Sequence, residues 1–372
     1  MKIVIVSPAY PLRGGIANFT SQFYHELSKE HQVSIFTFKR QYPKIFFPGK
    51  TQFEVGEDVD KIPSKVEIDS INPFSWNKTA NDIINEKPDL VIFKYWLPFF
   101  SPCYSSIAKQ IKKKSQAKLL AVCHNIIPHE KRIGDNYLSK MFLTKMEYFV
   151  LLSKEVEKDL LKFIAKPKSK ILPHPVYSRF GKSIDKQQAK EHLKLSGSNY
   201  ILFFGFIRDY KGLDILLKAM SLLNKKEIKL IIAGEFYSDK EKYLKLINEL
   251  NIKENVFMFT DFIPTDEVKY YFSASDAVVL PYNDATQSGI VQIAVNFQKP
   301  VIATNVGGLA EVIVNEESGY IVEKENPNVL AQAIDRFYSE EKEITFTSNI
   351  TKIADKYSWK NFAAGIIKLV KT

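Results

Sequence analysis

Tyr200-Ile-Leu-Phe-Phe-Gly-Phe-Ile-Arg-Asp-Tyr-Lys-Gly-Leu-Asp214 runs from five apolar residues, through a glycine and two cations, into a segment of helical periodicity. The opening run is short and does not alternate, which is the pattern of a strand covered on both faces in a parallel sheet. From Lys211 onward Leu213, Ile215, Leu216, Ala219 and Leu222–Leu223 share one helical face, completing a strand–turn–helix unit. The unit recurs downstream, with strands expected at Lys229–Ala233, Val256–Phe259, Ala277–Leu280 and Val301–Ala303. Upstream lies a weakly patterned stretch, Pro173 to Ser198, holding Pro173-His-Pro175 and a charged helix around Lys186–Leu195. Before it stands an earlier series. Strands are expected at Ile3–Val6, Val33–Phe38, Leu90–Phe93, Leu119–Val122 and Phe149–Leu152, and Ile16, Phe19, Phe23 and Leu27 mark the first helix. Two complete series predict an α/β chain of two Rossmann-like doubly wound parallel-sheet domains, 1–175 and 176–355, facing each other across a cleft.

The composition fits that size and class. A chain of 372 residues, 45% hydrophobic and 25% charged, suits two ordinary globular domains. Lys2 is followed only by Ile3–Val6 and then Ser7 and Pro8, which reads as a buried strand and not as a secretory leader. No run approaches the roughly 18–20 apolar residues of a membrane span. Cys103 and Cys123 suggest neither a disulfide framework nor a metal site, so a cytoplasmic protein is expected. The net charge of +10 suits nucleic acid, an anionic membrane or a phosphorylated substrate. No nucleic-acid motif accompanies the densest basic run, Lys109-Gln-Ile-Lys-Lys-Lys114, which reads first as a solvated helix face. Its neighbours Trp96-Leu-Pro-Phe-Phe100 and Lys44-Ile-Phe-Phe-Pro48 set aromatic rings beside lysines, which suits either a core or a peripheral contact with an anionic membrane surface.

Four segments carry chemical character. Gly14-Gly15 stand where a loop becomes a helix, and suit either a tight turn or close backbone approach to an anion. They do not form the G-x-G-x-x-G dinucleotide fingerprint. Arg208 and Lys211 sit beyond a strand's C-terminal edge at the opening of a helix, where cations oppose the helix dipole unless an anion lies between them. Asp284-Ala-Thr-Gln-Ser-Gly-Ile290 follows another strand of the same series, with Thr286 and Ser288 as cap residues and Gly289 and Ile290 offering first-turn amides. His124 ends a strand of the first series and opens a polar cluster with Asn125, His129, Glu130 and Arg132. Its histidines have no metal-ligand spacing.

In this order the segments resemble the large retaining glycosyltransferase group typified by glycogen synthases and bacterial mannosyltransferases, family four, which has the GT-B fold. The resemblance rests on Gly14-Gly15, His124, Gly205 to Lys211-Gly212, Ala233-Gly234, Lys299-Pro-Val-Ile-Ala-Thr-Asn-Val-Gly-Gly308 with Glu311, and Ser318-Gly-Tyr-Ile-Val322. It implies an acceptor domain over 1–175 and a nucleotide-sugar donor domain over 176–355. A C-terminal helix, about 356–372, would cross back onto the first domain. Gly14, Gly15, Arg208 and Lys211, with Ser288, Gly289 and Ile290, would hold the donor diphosphate. Asp284 and Gln287 belong to the same donor segment. His124 would lie near the reacting sugar, and Glu235, Phe262 and Ile263 would border the base. No metal and no other cofactor is expected, since the family uses the departing phosphate to help deprotonate the acceptor. The chain departs from the family pattern twice. Phe206 stands where an arginine is frequent, and the paired glutamates are absent, Ala285 and Ile293 (or, shifted by one, Asp284 and Gln292) occupying their places. A subgroup of polysaccharide-pathway transferases has a similar Ala-Thr-Gln-Ser-Gly segment.

The reading that follows is a metal-independent hexosyltransferase. It would move sugar from a UDP- or GDP-linked donor to a glycan or lipid-linked acceptor, without nucleic acid and with peripheral attachment at the inner membrane face as an option. A nucleotide-sugar epimerase of the same architecture and a non-catalytic member that binds a glycan or partner are the alternatives.

Overall fold

The structure is a computed structural model describing residues 1–43, 51–54, 60–128, 132–176, 180–285 and 288–371. The chain forms two compact units, Met1–Pro175 with Ser358–Thr372, and Val176–Tyr357.

The first unit is built on β1 (Lys2–Val6), β2 (Gln32–Arg40), β3 (Lys65–Asp69), β4 (Leu90–Tyr95), β5 (Lys118–Cys123), β6 (Tyr148–Leu151) and β7 (Lys168–Ile171). They form a seven-stranded sheet in the order β3-β2-β1-β4-β5-β6-β7, every pairing parallel. The second unit carries β8 (Tyr200–Phe204), β9 (Lys229–Ala233), β10 (Val256–Phe259), β11 (Ala277–Leu280), β12 (Val301–Thr304) and β13 (Gly319–Val322). Its six-stranded sheet runs β10-β9-β8-β11-β12-β13, again wholly parallel. Both sheets are doubly wound. The order reverses between β1 and β4 and again between β8 and β11, so helices starting at those strand ends diverge and leave a crevice at the C-terminal edge.

Three strands, β3, β7 and β13, are not visible as apolar runs. Lys-Val-Glu-Ile-Asp and Lys-Ser-Lys-Ile sit at the two edges of the first sheet, where one side of the ladder is unpaired and charged residues are favoured. β4 is also longer than its apolar run predicts, and continues through Lys94 and Tyr95, both fully buried.

The chain returns to the first unit in the helix Trp359–Lys371. The Trp359 indole donates to Gln22 Oε1 at 3.2 Å, and its ring packs edge-on against Phe19 with centroids 4.7 Å apart. Phe362 lies against both Phe19 and Phe23, so this helix covers the apolar face of the helix Gly15–Leu27. The aromatic segment near the basic run packs against the core, with Trp96, Leu97 and Phe99 half-buried. Phe100 is fully buried, Trp96 packs on it with centroids 4.4 Å apart, and Phe99 lies against Tyr42. In the helix Ser101–Lys114, Ile107, Ala108 and Ile111 face inward while Lys109 and Lys112 to Lys114 are exposed. The Lys44–Pro48 segment, His129 and Glu130 lie outside the described residues. No helix among the described residues is long and apolar enough to cross a membrane.

The second sheet depends on close backbone contact at its strand ends. Gly212 has φ 67°, and a Cβ there would strike the carbonyl oxygen of Pro281, just beyond β11. Gly234, just beyond β9, likewise leaves no room for a Cβ beside the backbone of Gly205. Gly212→Ala adds both a positive-φ penalty and a clash with backbone, which cannot swing aside as a side chain could. It is expected to destabilise the protein by at least about 1–3 kcal/mol, read from denaturant unfolding. An unchanged midpoint would contradict the contact.

Candidate functional site

In the second unit the segment after β8 is tied down from several sides. The Gly205 amide donates to Ala233 O at 2.8 Å, the Ile207 amide to Glu235 O at 2.8 Å, and the Tyr237 amide to Ile207 O at 2.8 Å. The chain then makes a single helical turn, Asp209–Lys211, and enters the helix Leu213–Leu222 through Gly212. The Asn283 amide donates to Tyr210 O at 2.8 Å, joining the turn after β8 to the turn after β11. Both turns therefore lie beside the point of strand reversal.

These ties bring Lys211 inward. Its side chain is only 9% exposed, with Nζ 5.6 Å from the centre of the Tyr282 ring. A methyl group added at Gly205 would lie 3.2 Å from Ile290 Cδ1 and 3.4 Å from Lys211 Nζ, so Gly205, Lys211 and Ile290 converge on one spot. Burial, helped by the Arg208 charge, pushes Lys211 down to about 7. The Arg208 guanidinium lies 5.2 Å from the Tyr237 ring centre, and Tyr237 stacks on Phe206 at 4.5 Å and 22°. Phe206, where an arginine was the family expectation, is thus part of an aromatic pair on which Arg208 rests.

From the next strand end, Ser288 caps the helix Gly289–Asn296, its Oγ accepting from the Ile290 amide at 3.2 Å. The structure therefore gathers Arg208, Lys211, Ser288, Gly289 and Ile290 in one unit. Two cations and a helix N-terminus in one place are suited to an anion with several oxygens. Glu235 is buried just beyond β9, Phe262 and Ile263 are half-buried beyond β10, and Asp284 is exposed. Thr286 and Gln287 lie outside the described residues. Ala285 and Ile293, at the places of the family's glutamates, are both buried apolar residues.

Gly14, Gly15 and His124 belong to the first unit. Gly14 has φ 110°, with open space where a Cβ would stand, and Gly15 begins the helix Gly15–Leu27. The His124 amide donates to Tyr95 O at 2.8 Å, continuing the β4–β5 ladder past the strand. Its ring is packed against other rings. It is 5% exposed, edge-on to Phe19 with centroids 5.1 Å apart and 5.9 Å from the ring of His174. His174 also meets Phe19, at 4.9 Å, and its Nδ1 pairs with Pro175 O at 2.7 Å. Lys94 completes the group. It has no hydrogen-bond partner among the described residues, and its Nζ stands 2.9 Å from the centre of the Phe19 ring.

Sequence reasoning missed Lys94, His174, Tyr237 and Tyr282. For Lys94 the signal was available, as a lysine inside Leu-Val-Ile-Phe-Lys-Tyr has no solvent-facing side in a covered parallel strand. Burial lowers the pKa of all three basic groups. His124 lies well below its usual value through burial and then the neighbouring Lys94 and His174, His174 falls to about 3, and Lys94 is well below the ordinary lysine value. Among the described residues no cluster of three or more His, Cys, Asp or Glu could hold a metal ion, and Cys103 and Cys123 are buried free thiols.

The signs of these shifts fix a stability profile. A base depressed in the folded state stabilises above its unfolded pKa and loses that contribution as pH falls, because the unfolded chain takes up the proton first. The first unit should therefore lose stability from pH 6.5 downward toward 3 as the histidines are drawn to protonate. Lys94 opposes folding through neutral pH, since burial makes the folded chain hold its proton less readily than the unfolded chain does. Lys94→Met is expected to raise stability at pH 7 by about 1–3 kcal/mol, measured by thermal or denaturant unfolding. A loss of similar size would contradict an amine that burial disfavours.

Comparison with known proteins agrees with this architecture. Residues 185–356 match the family model described as Glycosyl transferases group 1. An uncharacterized glycosyltransferase of Methanocaldococcus jannaschii is 34% identical over 176 residues, which are 46% of this chain and 44% of that protein. The matched region thus spans less than half the length of that relative. A second uncharacterized glycosyltransferase of the same organism is 24% identical over 379 residues, covering 99% of this chain and 97% of that one. Among solved structures, HepE of Anabaena in complex with UDP superposes with a TM-score of 0.77 at 16% identity, covering 100% of both chains. At that identity the likeness speaks for the GT-B fold. The family match covers nearly all of the second unit, so that unit is similar to the group 1 glycosyltransferases, and the whole chain shares the fold.

Proposed function

We propose that the protein is a retaining, metal-independent hexosyltransferase. It takes sugar from a UDP- or GDP-linked donor held by the second unit and passes it to a glycan or lipid-linked acceptor served by the first. A role in polysaccharide biosynthesis in the cytoplasm, with attachment at the inner face of the membrane, belongs to the same proposal. One observation carries it: Lys211, Gly205 and Ile290 meet at the ends of β8 and β11, beside Arg208 and the capped helix start at Ser288. That set is matched to a diphosphate. HepE, similar in fold, has been solved with UDP and with UDP-glucose, which supports a nucleotide-sugar as the donor.

The chemistry asked of these residues is electrostatic. As the glycosyl bond breaks, negative charge builds on the departing diphosphate. Fixed amides and cations in a poorly hydrated site stabilise that charge without having to reorganise. With retention, the departing phosphate takes the acceptor's proton on the same face, so no protein carboxylate is required as base. This is compatible with Ala285 and Ile293 in place of the glutamates, and it shifts the recognition of sugar hydroxyls onto other groups. His124 is proposed to act toward the sugar as a neutral ring, the state its burial enforces.

A donor screen tests the reading. Purified protein incubated with UDP- and GDP-sugars and saccharide acceptors should release nucleoside diphosphate and form a new glycoside. An epimerised sugar without a glycoside would favour the epimerase alternative, and no binding of any nucleoside diphosphate would rule out both enzymes.

Lys211 gives a sharper test. In the free protein it titrates near 7, and a bound diphosphate stabilises its charged form and raises its pKa. Affinity should be level just below pH 7 and then fall by up to about tenfold per pH unit above it, with proton uptake on binding visible in calorimetry. Lys211→Ala should weaken nucleoside diphosphate binding far more than nucleoside binding and flatten the pH dependence. Equal losses for the two ligands would remove the phosphate assignment.

A further inference from the structure

The residue after Pro281 is a tyrosine that no motif in the sequence singles out. Tyr282 is 3% exposed, its carbonyl oxygen accepts from Thr304 Oγ1 at 2.5 Å, and its ring meets Tyr210 edge-on at 6.3 Å. These contacts fix the ring between β11 and the turn after β8. The Lys211 Nζ lies 5.6 Å from its centre. The hydroxyl also interacts with Ser288, whose Oγ accepts from the Ile290 amide at 3.2 Å, without reaching hydrogen-bond geometry. The phenol oxygen has no hydrogen-bond partner among the described residues. A buried hydroxyl left in this way lowers stability unless a ligand supplies the missing acceptor.

We infer that the Tyr282 hydroxyl is a third donor to the diphosphate, placed between the Lys211 ammonium and the first turn of the helix Gly289–Asn296. This rests on the donor reading above and adds to it a residue that acts on the leaving group. Burial holds the phenol well above its usual pKa, so it stays protonated and donates throughout the working range. In the transfer, the bond from the sugar's anomeric carbon to the phosphate oxygen breaks and its electron pair remains on that oxygen. The acceptor oxygen bonds to the carbon, and the acceptor's proton passes to the phosphate. Tyr282 keeps its own proton. Its hydrogen bond tightens as the phosphate oxygen gains charge, so it favours the transition state over the bound donor.

The test is Tyr282→Phe, which removes one oxygen and keeps the ring. Binding of UDP, GDP, uridine and guanosine is measured for both proteins, together with kcat and KM for whichever donor the screen identifies. The variant should bind the nucleoside diphosphate about tenfold more weakly than wild type, bind the nucleoside equally well, and lose more in kcat than in KM. The ligand-free thermal midpoint should hold or rise, since an unpaired hydroxyl has been removed. If that midpoint falls instead, binding is read as ligand-induced stabilisation against each protein's own midpoint, and the same difference between diphosphate and nucleoside is expected. Unchanged diphosphate affinity and kcat in a wild-type background that does bind diphosphate would overturn the role of Tyr282 and leave the donor reading standing. Wild type that binds neither UDP nor GDP would overturn both.

Discussion

The backbone of Gly212 lies against the carbonyl of Pro281, and the organisation of the second unit follows from that contact. It can form only where a residue without a Cβ adopts φ 67°, and it locks the turn after β8 onto the turn after β11. With the Asn283 amide bonded to Tyr210 O at 2.8 Å, the two turns become one surface. Lys211 is buried beside these turns, and the helix capped by Ser288 starts close by. Gly205 then leaves the floor bare of a side chain, with Lys211 and Ile290 closing on it. Packing alone does not account for bringing a lysine and a helix N-terminus to the same buried place, because each carries positive charge. The proposed diphosphate would resolve the conflict.

The first unit concentrates a related tension in its core. Lys94, His124 and His174 surround Phe19, and burial lowers the pKa of each. The returning helix Trp359–Lys371 seals the far side of Phe19 through Trp359 and Phe362. A histidine in that setting can donate or accept a hydrogen bond, and it cannot serve as a cation near neutral pH. The electrostatic work of the proposed reaction therefore falls on Arg208 and Lys211 of the second unit.

Much of this was legible in the sequence because covered parallel strands leave an unambiguous mark. Tyr200–Phe204 and Ile3–Val6 could hardly be anything else, and from them the doubly wound α/β architecture and the cation-bearing turn at Arg208 and Lys211 follow. The edge strands β3 and β7 were hidden because one free side permits lysine and glutamate, which erases the apolar signal. Lys94 was readable but missed, because the strand was ended at Phe93 and its continuation through Lys94 and Tyr95 was not expected. Trp96 and Phe100 were ambiguous because aromatic residues beside lysines suit a membrane surface and a core equally, and only packing separates the two. Tyr282 could not be found by motif, since its position depends on how two turns distant in sequence are held together.

The central claim is that the second unit seats a diphosphate between the turn after β8 and the helix start after β11. Amide hydrogen exchange on the wild-type protein, with and without saturating UDP or GDP, tests it most directly. The account predicts slowed exchange concentrated at Gly205–Gly212 and at Ser288–Val291, and little change at those amides when uridine or guanosine replaces the diphosphate. Protection by the diphosphate that spares both segments, or that the bare nucleoside reproduces in full, would contradict it.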